Sequence, residues 1–290
     1  MEGSEIQSIY LSDPGYCRGS IANLVPEIDQ FKLATYLLPA IDPVVDRAQS
    51  KTIRQIFLKE YREMRGDESF LALGSVMNYS YRDMLTNSRP AKQFYIFIPE
   101  EARGKTVPLF VFLHGSGGNF KGYMWKWREF AKANNSVVVA PGFGFGEWDR
   151  SGSMELIKEV LDYCDKSSSF TVSKRYLVAL SNGGIGAWRM PHDLASNFEG
   201  MALISPIMNS YWKSDTDMIN TWKNRPILII HGSDDNRIPL AYIKRRAEIL
   251  SEGKVNLEFI TLPKEDHFLF FSSWKKVSQV LQNWMTNSAD

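Results

Sequence analysis

YLVALSNGGIG, residues 176–186, decides how the chain reads. Tyr176 to Leu180 run without polar alternation, as expected of a strand buried on both faces of a parallel sheet. Ser181-Asn182-Gly183-Gly184 follows, and then a segment of helical character. A serine at a strand-to-helix junction can occupy a sharp, strained turn that lifts its hydroxyl above the sheet edge. Crowding in such a turn demands small residues two before and two after the serine. Ala179 and Gly183 stand there, giving A-x-S-x-G where G-x-S-x-G is usual. A serine that only caps a helix N-terminus is the competing reading of this stretch alone.

Working outward, short apolar runs recur on both sides. They are Gln93–Ile98, Leu109–Leu113, Val137–Ala140, Met201–Ile204, Ile227–Ile230 and Leu257–Leu262, each bounded by Gly, Pro, Asn or Ser. Amphipathic segments lie between them, most clearly 154–163, 184–194, 240–250 and 273–284. Strands alternating with helices predict a mostly parallel, doubly wound α/β sheet, whose function collects at the carboxyl ends of its strands. Residues 1–90 differ. Ile53, Ile56, Phe57, Tyr61 and Met64 recur at helical spacing, and 28–38 runs to Pro39 and Pro43, which suits helix termination. The expected organisation is a mainly helical N-terminal extension over 1–90, packing on a catalytic domain over 91–290 and partly shaping or shielding its mouth.

Bulk properties set the outer limits. The chain has 290 residues, 44% hydrophobic and 23% charged, with formal net charge +1. That balance is ordinary for a globular protein and gives no reason to expect a nucleic-acid partner. No apolar run reaches the roughly 18 residues of a membrane span. The opening MEGSEIQSIYLSDPG lacks the basic start and apolar core of a signal peptide, so a complete chain of this kind is expected in the cytoplasm. Cys17 and Cys164 fit no metal or redox spacing and read as free thiols.

The strand ends carry the chemistry. Leu109–Leu113 runs into His114-Gly115-Ser116-Gly117-Gly118. Such a loop can aim a backbone N–H at the oxygen on which charge develops in acyl transfer, the second donor being the N–H after the nucleophile. The candidate oxyanion donors are Ser116 (or its neighbour Gly115) and Asn182. Walker and dinucleotide glycine patterns fail here, because Phe120 stands where each needs glycine. Of four histidines, His114 and His231 end strands and read as loop supports, and His192 as a surface or capping residue. His267, in the polar loop 264–267 before the last helix, is the candidate general base. The acid comes from His231-Gly232-Ser233-Asp234-Asp235, where two aspartates compete. Serine, then aspartate, then histidine is the chain order expected of a triad on such a sheet.

Residues 93–286 resemble an α/β-hydrolase. LSNGG at 180–184 with LHGSGGN at 113–119 is similar to the esterase branch that holds polyhydroxybutyrate depolymerases, feruloyl esterases and acetyl xylan esterases. The H-G-x-x-D-x-x-V-P form of the acid loop in such proteins favours Asp235 over Asp234. The resemblance implies ester cleavage through an acyl-enzyme by Ser181, His267 and Asp235, with no metal or cofactor. Its substrate would be a small-molecule or glycan-linked ester. Prolyl-oligopeptidase-like peptidases share the skeleton and are the alternative, as is a hydrolase-fold binding protein without chemistry. Trp148, Pro206, Tyr211 and Trp212 are the candidate pocket residues, with Trp125 and Trp127 also near strand ends. Arg189 and Arg237 read as solvated, with carboxylate binding as a second role. Oligomeric state leaves no mark in the sequence.

Overall fold

The computed structural model describes residues 4–11, 25–42, 44–77, 80, 92–209, 211 and 213–287. Its sheet has eight strands in the order β1-β2-β4-β3-β5-β6-β7-β8. They are β1 (Glu5–Tyr10), β2 (Gln93–Ile98), β3 (Thr106–Leu113), β4 (Val137–Gly142), β5 (Thr171–Leu180), β6 (Gly200–Ile204), β7 (Ile227–Gly232) and β8 (Leu257–Leu262). Strands β3 to β8 pair in parallel, and β1 and β2 add an antiparallel edge. The order turns around β3: β4 lies on one side of it and β5 on the other. The loops after β3 and β5 therefore meet at the topological switch point, where ligands of such sheets bind.

Helices cover both faces, and side-chain alternation divides the core between them. Phe110 and Phe112 of β3 face one cluster, and Leu109, Val111 and Leu113 face the other. The first face is covered by α1 (Glu27–Ile41), α2 (Arg47–Met64), α3 (Glu68–Ala72), α4 (Lys121–Ala133), α10 (Leu269–Ser272) and α11 (Trp274–Asn287). The second is covered by α5 (Ser153–Asp165), α6 (Gly183–Arg189), α7 (His192–Ala195), α8 (Asp215–Trp222) and α9 (Leu240–Glu252). The expected segment 184–194 is broken between α6 and α7 at Pro191, which has no N–H to continue the ladder. No helix of the described residues is long and apolar enough to cross a membrane. Burial pushes the Cys164 thiol up to about 12, which keeps it protonated and inert, and Cys17 lies outside the described residues.

Two findings modify the reading of the N-terminal ninety residues. Glu5–Tyr10 is a strand rather than helix, paired along its length with β2, so this region contributes an edge to the sheet. Helix α1 also continues past Pro39 to Ile41. Proline cannot donate to the carbonyl four residues back, that of Thr35. The Ser50 hydroxyl of α2 donates to that carbonyl instead, which satisfies it and ties the two helices together. Pro43 lies outside the described residues. The α1–α2 hairpin packs into the first core face through Ile28, Ile53 and Phe57. Between its helices and α4, Glu27 is buried and accepts from the Tyr61 hydroxyl, Ser75 Oγ and Lys121 N–H. Burial raises the Glu27 carboxyl above its usual range against these hydrogen bonds.

Candidate active site

Ser181 stands at the end of β5, one residue ahead of the α6 cap, with φ of +51°. That left-handed conformation costs a non-glycine residue about 1–3 kcal/mol and persists only where the surroundings enforce it. They do so here through three backbone bonds: Ser181 N–H to Ile204 O at 3.0 Å, and Gly184 and Ile207 N–H to Ser181 O at 2.9 and 3.0 Å. A side chain at Gly183 would drive into the Leu113 backbone, whose carbonyl carbon would be 2.9 Å from the added Cβ. At Gly184 it would meet Ile207 O at 2.6 Å. Ala179, the departure from the usual elbow pattern, is fully buried without strain on its own φ.

His267 Nε2 is 3.0 Å from Ser181 Oγ, and its Nδ1 is 2.8 Å from Asp235 Oδ2. The other carboxylate oxygen of Asp235 accepts the N–H groups of Arg237 (3.0 Å) and Ile238 (2.9 Å). Burial pushes the Asp235 carboxyl up, but the His267 hydrogen bond and charge and the Ile238 N–H outweigh it, so it lies below its usual range. Asp234 is exposed; it accepts from Ser233 Oγ and does not reach the imidazole. The two aspartates left open by the residues alone are therefore distinguished by geometry. Gly232 permits this arrangement: a Cβ there would collide with the backbone of Glu265, in the loop that presents His267. His231 is buried behind Asp235, with Nε2 2.8 Å from Ile238 O. Burial is the main cause that lowers its pKa, so it remains neutral and buttresses the acid loop.

The glycine loop after β3 is clamped from both sides. His114 Nδ1 donates to Gly115 O at 2.7 Å, and its Nε2 accepts Phe143 N–H at 3.1 Å. Only the neutral imidazole can do both, and burial pushes its pKa down to about 4. Gly117 N–H is held by Phe145 O at 3.1 Å. A Cβ on Gly115 would be 3.1 Å from Ser181 Cβ, which places this loop directly against the serine. The N–H groups of Ser116 and Asn182 have no acceptor among the described residues. Free donors beside a hydroxyl, itself beside an imidazole and a carboxylate, can carry out nucleophilic acyl transfer.

A cavity of about 360 Å³ opens on Ser181 and His267. Its far wall is the α1–α2 hairpin, through Phe31, Leu38, Ile53 and Phe57, and its sides include Phe120 and Phe271. Its charged residues Asp42 and Arg237 are paired with each other. The expected pocket residues lie elsewhere. Trp148 is fully buried beneath the glycine loop, its indole N–H bonded to His114 O at 2.9 Å. Pro206 packs behind α6, against Gly184. Tyr211 is 85% exposed and points to solvent. Trp212 lies outside the described residues. Trp127 is core, against Phe112, and Trp125 is covered by the Arg128 guanidinium. Arg189 binds Trp148 O rather than a carboxylate. Proximity to a strand end does not say where an aromatic points: Trp125, Trp127 and Trp148 turned inward and Tyr211 outward. The helical periodicity of 53–64 signalled an apolar face packed at the mouth, but not which of its residues would line the cavity; Ile53 and Phe57 do. Among the described residues no cluster of His, Cys, Asp or Glu could hold a metal ion.

Comparison with known proteins agrees with this geometry at the level of fold. The prolyl oligopeptidase family matches residues 169–289, the segment that carries Ser181, Asp235 and His267. A probable dipeptidyl-peptidase 5 of Aspergillus terreus is 25% identical over 224 residues, 61% of this chain. The chain spans only 31% of that curated relative's length. Among solved structures, Est1E from Butyrivibrio proteoclasticus is similar with a TM-score of 0.55 at 14% identity, covering 68% of this chain and 94% of its own. The serine hydrolase FphF of Staphylococcus aureus gives 0.56 at 15%, covering 67% and 92%. Esterase B from Lactobacillus rhamnosis gives 0.56 at 15%, covering 68% and 81%. The chain has the α/β-hydrolase fold.

Proposed function

We propose that this α/β-hydrolase chain is a serine esterase that cleaves a carboxylic ester through an acyl-enzyme, with Ser181, His267 and Asp235 as its triad. One observation carries the reading: the hydrogen-bonded run Ser181–His267–Asp235 opens into an apolar cavity whose paired Asp42 and Arg237 leave no free charge for the substrate. His267 Nε2 takes the Ser181 proton as Oγ attacks the ester carbonyl carbon. The carbonyl π bond becomes an oxyanion, which the N–H groups of Ser116 and Asn182 hold, each worth about 10²–10³ in turnover. Collapse breaks the bond to the alkoxy oxygen, and His267 returns the proton to the departing alcohol. Water then attacks the acyl-enzyme, gives its proton to His267, and releases the acid and the serine. Asp235 holds the imidazole in the Nδ1–H tautomer and balances the positive charge it gains.

Peptidase activity is the second reading, favoured by the family match and the fungal relative. A peptidase that docks a charged substrate amino terminus needs an unpaired carboxylate in the pocket, and Asp42, the acid on the cavity, is held by Arg237. The test is labelling with a fluorophosphonate, followed by turnover of p-nitrophenyl acetate and an aminoacyl amide. Labelling at Ser181 with turnover of the ester alone is expected. Faster turnover of the amide would replace esterase by peptidase. Absence of labelling together with absence of turnover would leave a binding protein.

A further inference from the structure

The α1–α2 hairpin is more than a cover. Ala34 and Leu38 of α1 and Ile53 and Phe57 of α2 face the cavity opposite the serine. The hairpin's polar residues on the cavity are already engaged: Thr35 Oγ donates to Lys32 O at 2.9 Å, and Asp42 pairs with Arg237. The wall is also rigid. Phe31 and Phe57 stack at 4.6 Å and 6°, Phe31 meets Phe120 edge-on at 4.6 Å, and Phe57 lies 4.9 Å from Phe271. The hairpin is fixed in depth at two points, Asp42 to Arg237 in the acid loop and Gln49 Nε2 to Asp266 Oδ2 at 3.3 Å in the base loop. A preformed, apolar, aromatic-lined cavity of this size suits a hydrocarbon group larger than a methyl.

We infer that the α1–α2 hairpin is the selectivity element of this site, holding an uncharged hydrocarbon substituent of the ester, with Ala34 and Leu38 setting how much of it fits. The inference rests on the esterase reading. The hydrocarbon can belong to either side of the ester, so two substrate series separate the sources: p-nitrophenyl esters of lengthening acids, and acetates of lengthening alcohols. Each methylene taken from water into such a wall is worth about four-fold in kcat/KM. Four methylenes therefore give a rise of about 10²-fold in one of the series.

Ala34 is exposed and lines the cavity, so Ala34→Trp adds bulk to the mouth without disturbing the core. This variant is expected to abolish the rise with chain length, read as the slope of log kcat/KM against methylene count within each series. Leu38→Ala, which removes wall instead of adding it, is expected to extend the rise to longer members. Thermal melting accompanies both variants, so that a misfolded Ala34→Trp leaves the decision with Leu38→Ala. A flat response in both series, or a chain-length slope unchanged in correctly folded variants, overturns the inference while acetate turnover leaves the esterase reading standing. Loss of fluorophosphonate labelling and of all ester turnover in the wild type overturns the esterase reading itself.

Discussion

Asp235→Asn replaces the carboxylate by an amide of nearly the same shape, and the surroundings dictate how that amide must sit. Oδ1 accepts two backbone N–H groups, from Arg237 and Ile238, at 3.0 and 2.9 Å. The amide oxygen has to stay there, because turning the NH₂ toward two buried donors would leave both unsatisfied. The NH₂ then faces His267 Nδ1, where a carboxylate oxygen now accepts at 2.8 Å. Two donors cannot share that contact, so the imidazole moves its proton to Nε2, which faces Ser181 Oγ at 3.0 Å. A protonated Nε2 cannot take the serine proton. Wrong-tautomer exchanges of this kind lower kcat by about 10⁴, equivalent to about 5.5 kcal/mol of barrier. The assay is kcat for p-nitrophenyl acetate at neutral pH, with melting temperature and near-UV circular dichroism as checks on the fold. Asp234→Asn is the control. Its side chain is exposed and touches Ser233, so activity is expected within about two-fold of wild type. A loss under ten-fold in a folded Asp235→Asn, or an equal loss in both variants, would refute the tautomer argument.

Two further outcomes follow from the clamped loops. His114 is neutral when folded, with a pKa of about 4 against 6.5 in the unfolded chain. The unfolded chain therefore binds a proton that the folded one refuses, and stability falls as pH drops from about 6.5 to 4, by about 3 kcal/mol in all. Urea unfolding across that range should show the slope in the wild type and a shallower one in His114→Asn; parallel slopes would count against it. Gly183→Ala presses a methyl into the Leu113 backbone, so loss of at least about 3 kcal/mol of stability or of nearly all activity is expected, whereas Ala179→Gly should remain active. A stable and active Gly183→Ala would mean that the elbow can relax.

Much of the sheet was legible because its central strands, such as Ile227–Ile230, are apolar on both faces and end in glycine or serine. The edge strand Glu5–Tyr10 was not. It is half-buried and short, and only pairing with a segment ninety residues away makes it a strand. Ser181 and His267 could be read as candidates because loop chemistry at strand ends is local, whereas adjacent Asp234 and Asp235 are separated only by which carboxylate reaches the imidazole. The cavity wall could not. Phe31 and Phe57 meet Phe120 and Phe271 through tertiary contacts that no local pattern encodes. Helix α1 outlasting Pro39 has the same origin, since its relief comes from Ser50 on the neighbouring helix.

The two ties between the hairpin and the catalytic loops join residues 195 and 217 positions apart. On a ribosome the hairpin emerges ahead of these loops and waits about 10–40 s for Arg237 and Asp266 to be made. Phe120 arrives early in that interval, but Phe57 lacks Phe271, the ring it meets at 4.9 Å, until the end of it. A working mouth thus waits on the meeting of two helices with loops made 195 and 217 positions after them.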